Sequence, residues 1–242
     1  MSLRKLWRSA ALATVVAFTT MYGLKVSDAL TRNSPPYHST IVPSAAKGEI
    51  PPPVFLPVQS KNPKDLAAGK LLVASRELGD PDFAQTVVLL VHDDAKGAVG
   101  LILNRRTDVP LSRVLEQLKV AKDRSDPVYL GGPVETPVAF ALLRSTAKVE
   151  GAQQICDGVY FISSKTVFEK TISDGPNPGA FHVFLGYAGW DNTQLRKEVE
   201  LGAWFIFPAD TQTVFDSDPD SLWRQMIHKT ELKLAGILQA PV

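Results

Sequence analysis

The amino-acid sequence predicts an α/β or α+β fold: a single domain with a mixed, largely antiparallel sheet flanked by helices. Three observations carry this. From Leu66 onward, short apolar runs rich in leucine and β-branched residues alternate with segments of helical periodicity. Two of those runs flank a turn-forming segment at hairpin distance. With 45% hydrophobic and 21% charged residues, 242 positions suffice for one sizeable core.

Lys70 to Ser75 and Thr86 to His92 show little polar alternation, as strands buried on both faces do. Asp93 to Gly97 supplies turn chemistry, and Ala98 to Asn104 returns as the second arm of a hairpin. Behind Pro110, Leu111, Val114, Leu115 and Leu118 recur at helical spacing and predict an amphipathic helix. Strand-like runs follow at Pro127 to Leu130, Val138 to Leu143 and Val159 to Ser163. Ser164 stands where its hydroxyl would cap a helix through Val167, Phe168 and Ile172. The loop Gly175 to Gly179 precedes a strand from Phe181 to Leu185, and a helix with Leu195 and Val199 lies beyond Trp190. Ala203 to Phe207 is the last clear strand. Asp218 and Pro219 open a closing helix through Leu222, Trp223, Met226 and Ile227.

Two segments precede this domain, which spans residues 63–242. In residues 1–29, Arg4, Lys5 and Arg8 lead an uncharged stretch from Ser9 to Leu24, with small residues Ser27 and Ala29 behind it. That order predicts a signal peptide or membrane anchor, and a domain exported from the cytoplasm or held at the membrane. An organelle transit peptide and a cytoplasmic location remain alternatives. Between Pro35 and Pro63 fall eight of the eighteen prolines, so residues 30–62 read as an extended spacer. Membrane contact is expected only through the N-terminal segment.

Charge divides along the same lines. Residues 63–242 hold 19 lysines and arginines against 23 acidic residues, a net −4. A phosphate-tracking surface needs the opposite sign, so direct nucleic-acid binding is disfavoured. Cys156 is the only cysteine and has no basic neighbour in sequence, which suits packing better than reactivity. The nucleophile-elbow, phosphate-loop, dinucleotide-binding and zinc-protease motifs are all missing, and no cofactor or metal site is expected.

The candidate binding residues are Asn104, Arg105, Gly131, Gly132, Tyr187, Trp190 and Gln194. Arg105 offers a planar fork suited to a carboxylate or phosphate, or to an ion pair with Asp80 or Asp82. Gly131, Gly132 and Pro133 predict a tight turn. Gly186 to Trp190 has the same turn character, and an exposed Tyr187 and Trp190 beside Gln194 would form a contact platform, unless these rings cap the core. The missing catalytic motifs favour a non-enzymatic binding or regulatory module with a protein or small-molecule partner, these residues forming its contact face. A hydrolase using His92 or His182 with nearby carboxylates is the rival, and an envelope assembly protein a third reading. His92, Asp93 and Asp94 read as a structural turn, because adjacent strand residues point to opposite faces.

Gly69 to Thr107 (GKLLVASRELGDPDFAQTVVLLVHDDAKGAVGLILNRRT), Val128 to Val134 (VYLGGPV) and Leu185 to Leu195 (LGYAGWDNTQL) resemble the AlgH (YqgE) family, and the likeness spans roughly Leu66 to His228. The resemblance implies a mostly bacterial family with a mixed α/β fold and no established reaction, one member of which is linked by genetics to regulation of alginate synthesis. Its members normally lack an export segment. The chain departs from the family pattern at Arg106, usually proline, at Leu143, usually histidine, at Asp191, Asn192 and Thr193, usually a glycine-containing turn, and at Arg196, usually acidic.

Overall fold

A computed structural model describes residues 59–238. The predicted export segment and most of the proline-rich spacer lie outside the described residues. Among the described residues no helix is long and apolar enough to cross a membrane.

The elements run in the order β1 (Lys70–Ala74), β2 (Val87–Asp93), β3 (Gly97–Ile102), β4 (Arg106–Pro110), α1 (Leu111–Val114), β5 (Pro127–Leu130), β6 (Val134–Arg144), β7 (Gln153–Cys156), β8 (Val159–Ile162), α2 (Lys165–Ser173), β9 (Phe181–Asp191), α3 (Asn192–Glu200), β10 (Trp204–Pro208), α4 (Thr211–Phe215) and α5 (Pro219–Leu238). The strands join into one ten-stranded sheet in the order β10-β1-β2-β3-β9-β6-β8-β7, with β5 also on β9 and β4 on β5. Every pairing is antiparallel except β5 with β9. This is the mixed, largely antiparallel sheet expected.

The sheet curls until its β7 end meets the start of β1. A Cβ at Gly69 would lie 2.6 Å from the Ile155 carbonyl oxygen, and the Gln153 amide donates to the Val91 carbonyl at 3.1 Å. Strands β1 and β2 are buried along nearly their whole length, as their unbroken apolar runs require. In β9 the period of two sorts side chains to opposite faces. Phe181, Val183 and Leu185 join a cluster with α1, α2 and β8, while Phe184 joins a larger cluster with β1, β2, α3 and α5.

Four local expectations need correction. The amphipathic helix predicted from Leu111 to Leu118 closes after four residues, at Leu115, whose φ of −109° and ψ of 39° leave the helical region, while the first-turn amides of Leu111 and Ser112 donate to the Asp126 and Arg124 carbonyls and bind the segment to the returning chain. Leu111, Val114 and Leu115 are still buried, as their spacing required. Ser164 precedes α2 but makes no side-chain cap. The polar strands β4 and β7 and the short helix α4 are additional. Finally, β9 does not stop at Leu185 but runs on to Asp191.

Candidate functional site

Gly131 and Gly132 leave β5 where β9 changes partner from β5 to β3. A Cβ at Gly131 would stand 2.3 Å from the Gly186 carbonyl oxygen, and one at Gly186 would stand 2.6 Å from that of Gly132. Gly186 also holds a φ of +68°, which glycine adopts without steric cost. The two glycine segments are therefore interlocked main chains, joined by the Gly131 amide on the Leu185 carbonyl at 2.8 Å.

This interlock overturns the expected aromatic platform. Past Gly186 the strand sends Tyr187, Ala188 and Trp190 into the larger core cluster, and both Tyr187 and Trp190 are only 5% exposed. Tyr187 meets Phe140 edge-on at 5.9 Å. Its buried hydroxyl has no hydrogen-bond partner among the described residues.

Trp190 and Gln194 do converge, on a residue the sequence reading missed. Glu198 Oε2 accepts the indole N–H groups of Trp190 at 3.0 Å and Trp204 at 2.9 Å, and Oε1 accepts the Gln194 amide at 3.0 Å. Glu198 is 7% exposed. Burial pushes its carboxyl above the ordinary value, against the pull of the three donors, and Asp80 adds to the rise. One signal was available: Glu198 stands three residues after Leu195, on the face of α3 that turns inward. Phe83 packs on both indoles, 5.4 Å from Trp190 and 5.8 Å from Trp204. The Asp80–Gln85 loop is thereby anchored on this buried cluster.

On its outer side the same loop walls an open groove of about 540 Å³, lined by Pro81, Ala84, Gln85, Asn104, Arg105, Pro219, Asp220, Trp223 and Arg224. Two of the predicted residues thus do reach a recess. Gln85 has a φ of +57°, uncommon for a residue with a side chain. Asn104 holds it there, donating its amide to the Gln85 carbonyl at 2.9 Å and accepting the Val87 amide at 2.8 Å. Arg105 donates to the Pro81 carbonyl at 3.1 Å and lies near enough to Asp80 to favour its charged form, although burial leaves that carboxyl raised overall. The floor is fixed by Trp223, whose indole donates to the Ala74 carbonyl at 2.8 Å.

The sequence of most of the described chain matches a known family: the model of the AlgH-like family covers residues 71–235. The chain belongs to the AlgH-like family. It is 36% identical over 154 residues to a Pseudomonas aeruginosa relative named "UPF0301 protein AlgH", covering 62% of this chain and 80% of that one. A "UPF0301 protein" of Anaeromyxobacter dehalogenans is 34% identical over 189 residues, covering 73% of this chain and 95% of that one. The solution structure of Pseudomonas aeruginosa AlgH superposes with a TM-score of 0.55 at 30% identity, covering 81% of this chain and 98% of that one. These names assign no reaction.

The AlgH-like domain accommodates its own departures from the family pattern. Asp191, in place of the usual glycine turn, caps α3 by accepting the amides of Thr193 at 2.7 Å and Gln194 at 2.8 Å, and its hydrogen bond to the Thr193 hydroxyl helps hold its carboxyl low. Arg196 lies 3.8 Å from Asp93 and donates to the Pro63 carbonyl at 3.0 Å. Arg106 pairs with Asp220 at 3.4 Å beside the groove.

The three histidines of the AlgH-like domain lie apart. His92 faces Asp94 at 3.1 Å on an exposed hairpin end, with Asp93 directed instead to Arg196. His228 lies 3.7 Å from Glu231 on the surface of α5. His182 is held between the rings of Tyr129 at 5.0 Å and Phe215 at 5.2 Å, where burial, with help from Arg144, lowers its imidazole to about 4. His92 and His228 thus meet their acids on half-exposed or exposed surface, and the three histidines do not share one site. Burial pushes the Cys156 thiol up to about 11, consistent with packing.

Proposed function

We propose that the AlgH-like domain is a non-enzymatic binding or regulatory module whose contact surface is the groove at Asn104 and Arg105. One observation carries this reading: the groove wall contains a left-handed Gln85 that Asn104 clamps from two sides. Backbone strain of this kind persists only where the surroundings fix it, so the recess exists before any partner arrives, and binding costs less ordering. The occupant is a protein segment or a small molecule. Nucleic acid is disfavoured by the net −4 of residues 63–242.

The order of basic, apolar and small residues in 1–29 supports a place outside the cytoplasm, with residues 30–62 as the spacer. Cell fractionation with intact-mass measurement tests that part. A product shortened by residues 1–29 in the envelope fraction is expected for a cleaved signal, and a full-length one for an anchor. A full-length soluble cytoplasmic product refutes the location.

For the groove, a photo-crosslinking amino acid replaces Gln85, or Lys148 as an exposed control, in cells making the full chain. Adducts of discrete mass at position 85 and not at 148 are expected. Equal yields at the two positions refute the groove as the contact surface.

A further inference from the structure

We propose that the Asp80–Gln85 loop is a proton-sensitive strap, docked on Trp190 and Trp204 while Glu198 is protonated and loosened when Glu198 ionises near Asp80. The strap walls the groove, so its bearing on binding rests on the reading of the groove as the contact surface. One buried carboxyl group holds the seat. Glu198 fixes both indoles through Oε2, and the rings of Phe83, Trp190 and Trp204 meet in a triangle at 5.4, 5.8 and 6.0 Å. Phe83, itself buried, is the strap's own corner of that triangle. Around it the strap is closed on itself: the Phe83 and Ala84 amides donate to the Asp80 carbonyl at 3.1 and 2.7 Å, and the Asp82 amide to Asp80 Oδ1 at 2.8 Å. It can therefore move as a unit. Gly79 before it is exposed, and a Cβ there would meet nothing within 4 Å, which leaves a hinge room to turn. At the other end Asn104 clamps the left-handed Gln85, whose strain opening would relieve.

The charges around the seat give the strap its sensitivity. Glu198 is bonded by Gln194 from its own helix, by Trp190 from β9 and by Trp204 from β10, all neutral donors, and the charge that faces it from the strap is Asp80. Asp80 is met in turn by the amides of Asp82 and Phe83, by the Asp82 carboxylate and by the Arg105 guanidinium. A protonated Glu198 suits the closed seat: Oε2 still accepts both indoles, and a turned Gln194 amide accepts the new O–H. An ionised Glu198 keeps three bonds, but none comes from a cation, and it repels Asp80. Water is the remaining means of stabilising that charge, and lifting Phe83 off the two indoles opens a path for it. The strap is thus held at acid pH and released as pH rises. Burial raises both carboxyls, which agrees with that sign.

The test is hydrogen exchange of the full chain, read by mass spectrometry from mildly acidic to neutral pH, with each rate divided by the intrinsic rate at that pH. Protection of the strap amides of Phe83 and Ala84 should fall as pH rises, by up to about tenfold per pH unit, the slope of one released proton. The paired amides of β1 and β2 exchange through global unfolding and should stay more protected at every pH. Glu198→Gln keeps an acceptor for the indoles and cannot ionise, so its strap should stay protected without change over the same range. Asp80→Asn keeps an acceptor for the Asp82 amide and removes the repulsion, so it should shrink the fall; it also carries the test if Glu198→Gln fails to fold. Strap protection that does not change with pH, that equals that of β1 and β2, or that falls as steeply in either variant as in wild type overturns the proposal. Equal crosslinking at positions 85 and 148, beside a fall that Glu198→Gln abolishes, would remove the groove as the contact surface and leave the proton-sensitive strap standing.

Discussion

Replacing Glu198 probes how a carboxylate can sit in a core with only neutral donors around it. Glu198→Ala leaves two indole N–H groups and one amide without their acceptor, and each unsatisfied buried donor costs about 1–3 kcal/mol. Removing a buried charge returns part of that, and water entering the vacated space returns more. We therefore expect a net loss of about 3–5 kcal/mol, which lowers Tm by about 6–20 °C for a domain of this size. Glu198→Gln keeps an acceptor for both indoles, and a flip of the Gln194 amide restores the third bond, so its cost should stay below about 1 kcal/mol. Urea unfolding followed by both tryptophan emission and far-UV circular dichroism gives the comparison. The pH dependence supplies a second reading. Because the folded-state pKa of Glu198 is raised, its contribution to stability is fully present below the unfolded value of 4.5 and is lost as pH rises through the folded value. Glu198→Gln should erase that loss. If Glu198→Gln is as damaging as Glu198→Ala, the negative charge itself stabilises the cluster and the acceptor argument fails.

Four further outcomes are expected. Gly186→Ala should destabilise by about 3 kcal/mol or more, from the strain of a side chain at φ +68° and the clash with the Gly132 carbonyl, as read by denaturant midpoint. Tyr187→Phe should leave stability unchanged or raise it by up to about 1 kcal/mol, since the buried hydroxyl has no partner among the described residues; a loss above 1 kcal/mol would reveal one. His182 is neutral in the fold down to about 4 and titrates at 6.5 when unfolded, so wild type should lose up to about 3 kcal/mol as pH falls between those values. His182→Phe should flatten that slope. Cys156 should alkylate far more slowly at pH 7.5 in the folded chain than in urea.

The strands at Lys70–Ala74 and Val87–Asp93 were legible because burial on both faces leaves an unbroken apolar run in the sequence. β4 and β7 were not. Their polar residues lie at half-exposed edges, where hydrogen bonding to one neighbour replaces hydrophobic pattern as the cause of the strand. The continuation of β9 was hidden for a related reason: Gly186 and Gly189 carry turn composition, yet here Gly186 serves close main-chain approach and Gly189 leaves room for the Tyr187 ring. Of the site, Asn104 and Arg105 were readable as hairpin-end polar residues. The walls contributed by Pro81, Gln85, Trp223 and Arg224 come from segments more than a hundred residues apart, and only the folded sheet brings them together.

The position of β9 sets the order in which the chain can become itself. Its partners β3, β5 and β6 all precede it in sequence, and it supplies side chains to both hydrophobic clusters. During synthesis, every residue up to Ala180 can emerge while those three strands still present open edges, the state most prone to pairing with a neighbour. Folding therefore cannot be completed progressively from the N-terminus. It waits for one late strand to enter between earlier ones, a step dominated by sequence-distant contacts and correspondingly slow. A chain cut just before Phe181 would lose much more than one strand: it would lose the piece that turns two half-formed cores into one molecule.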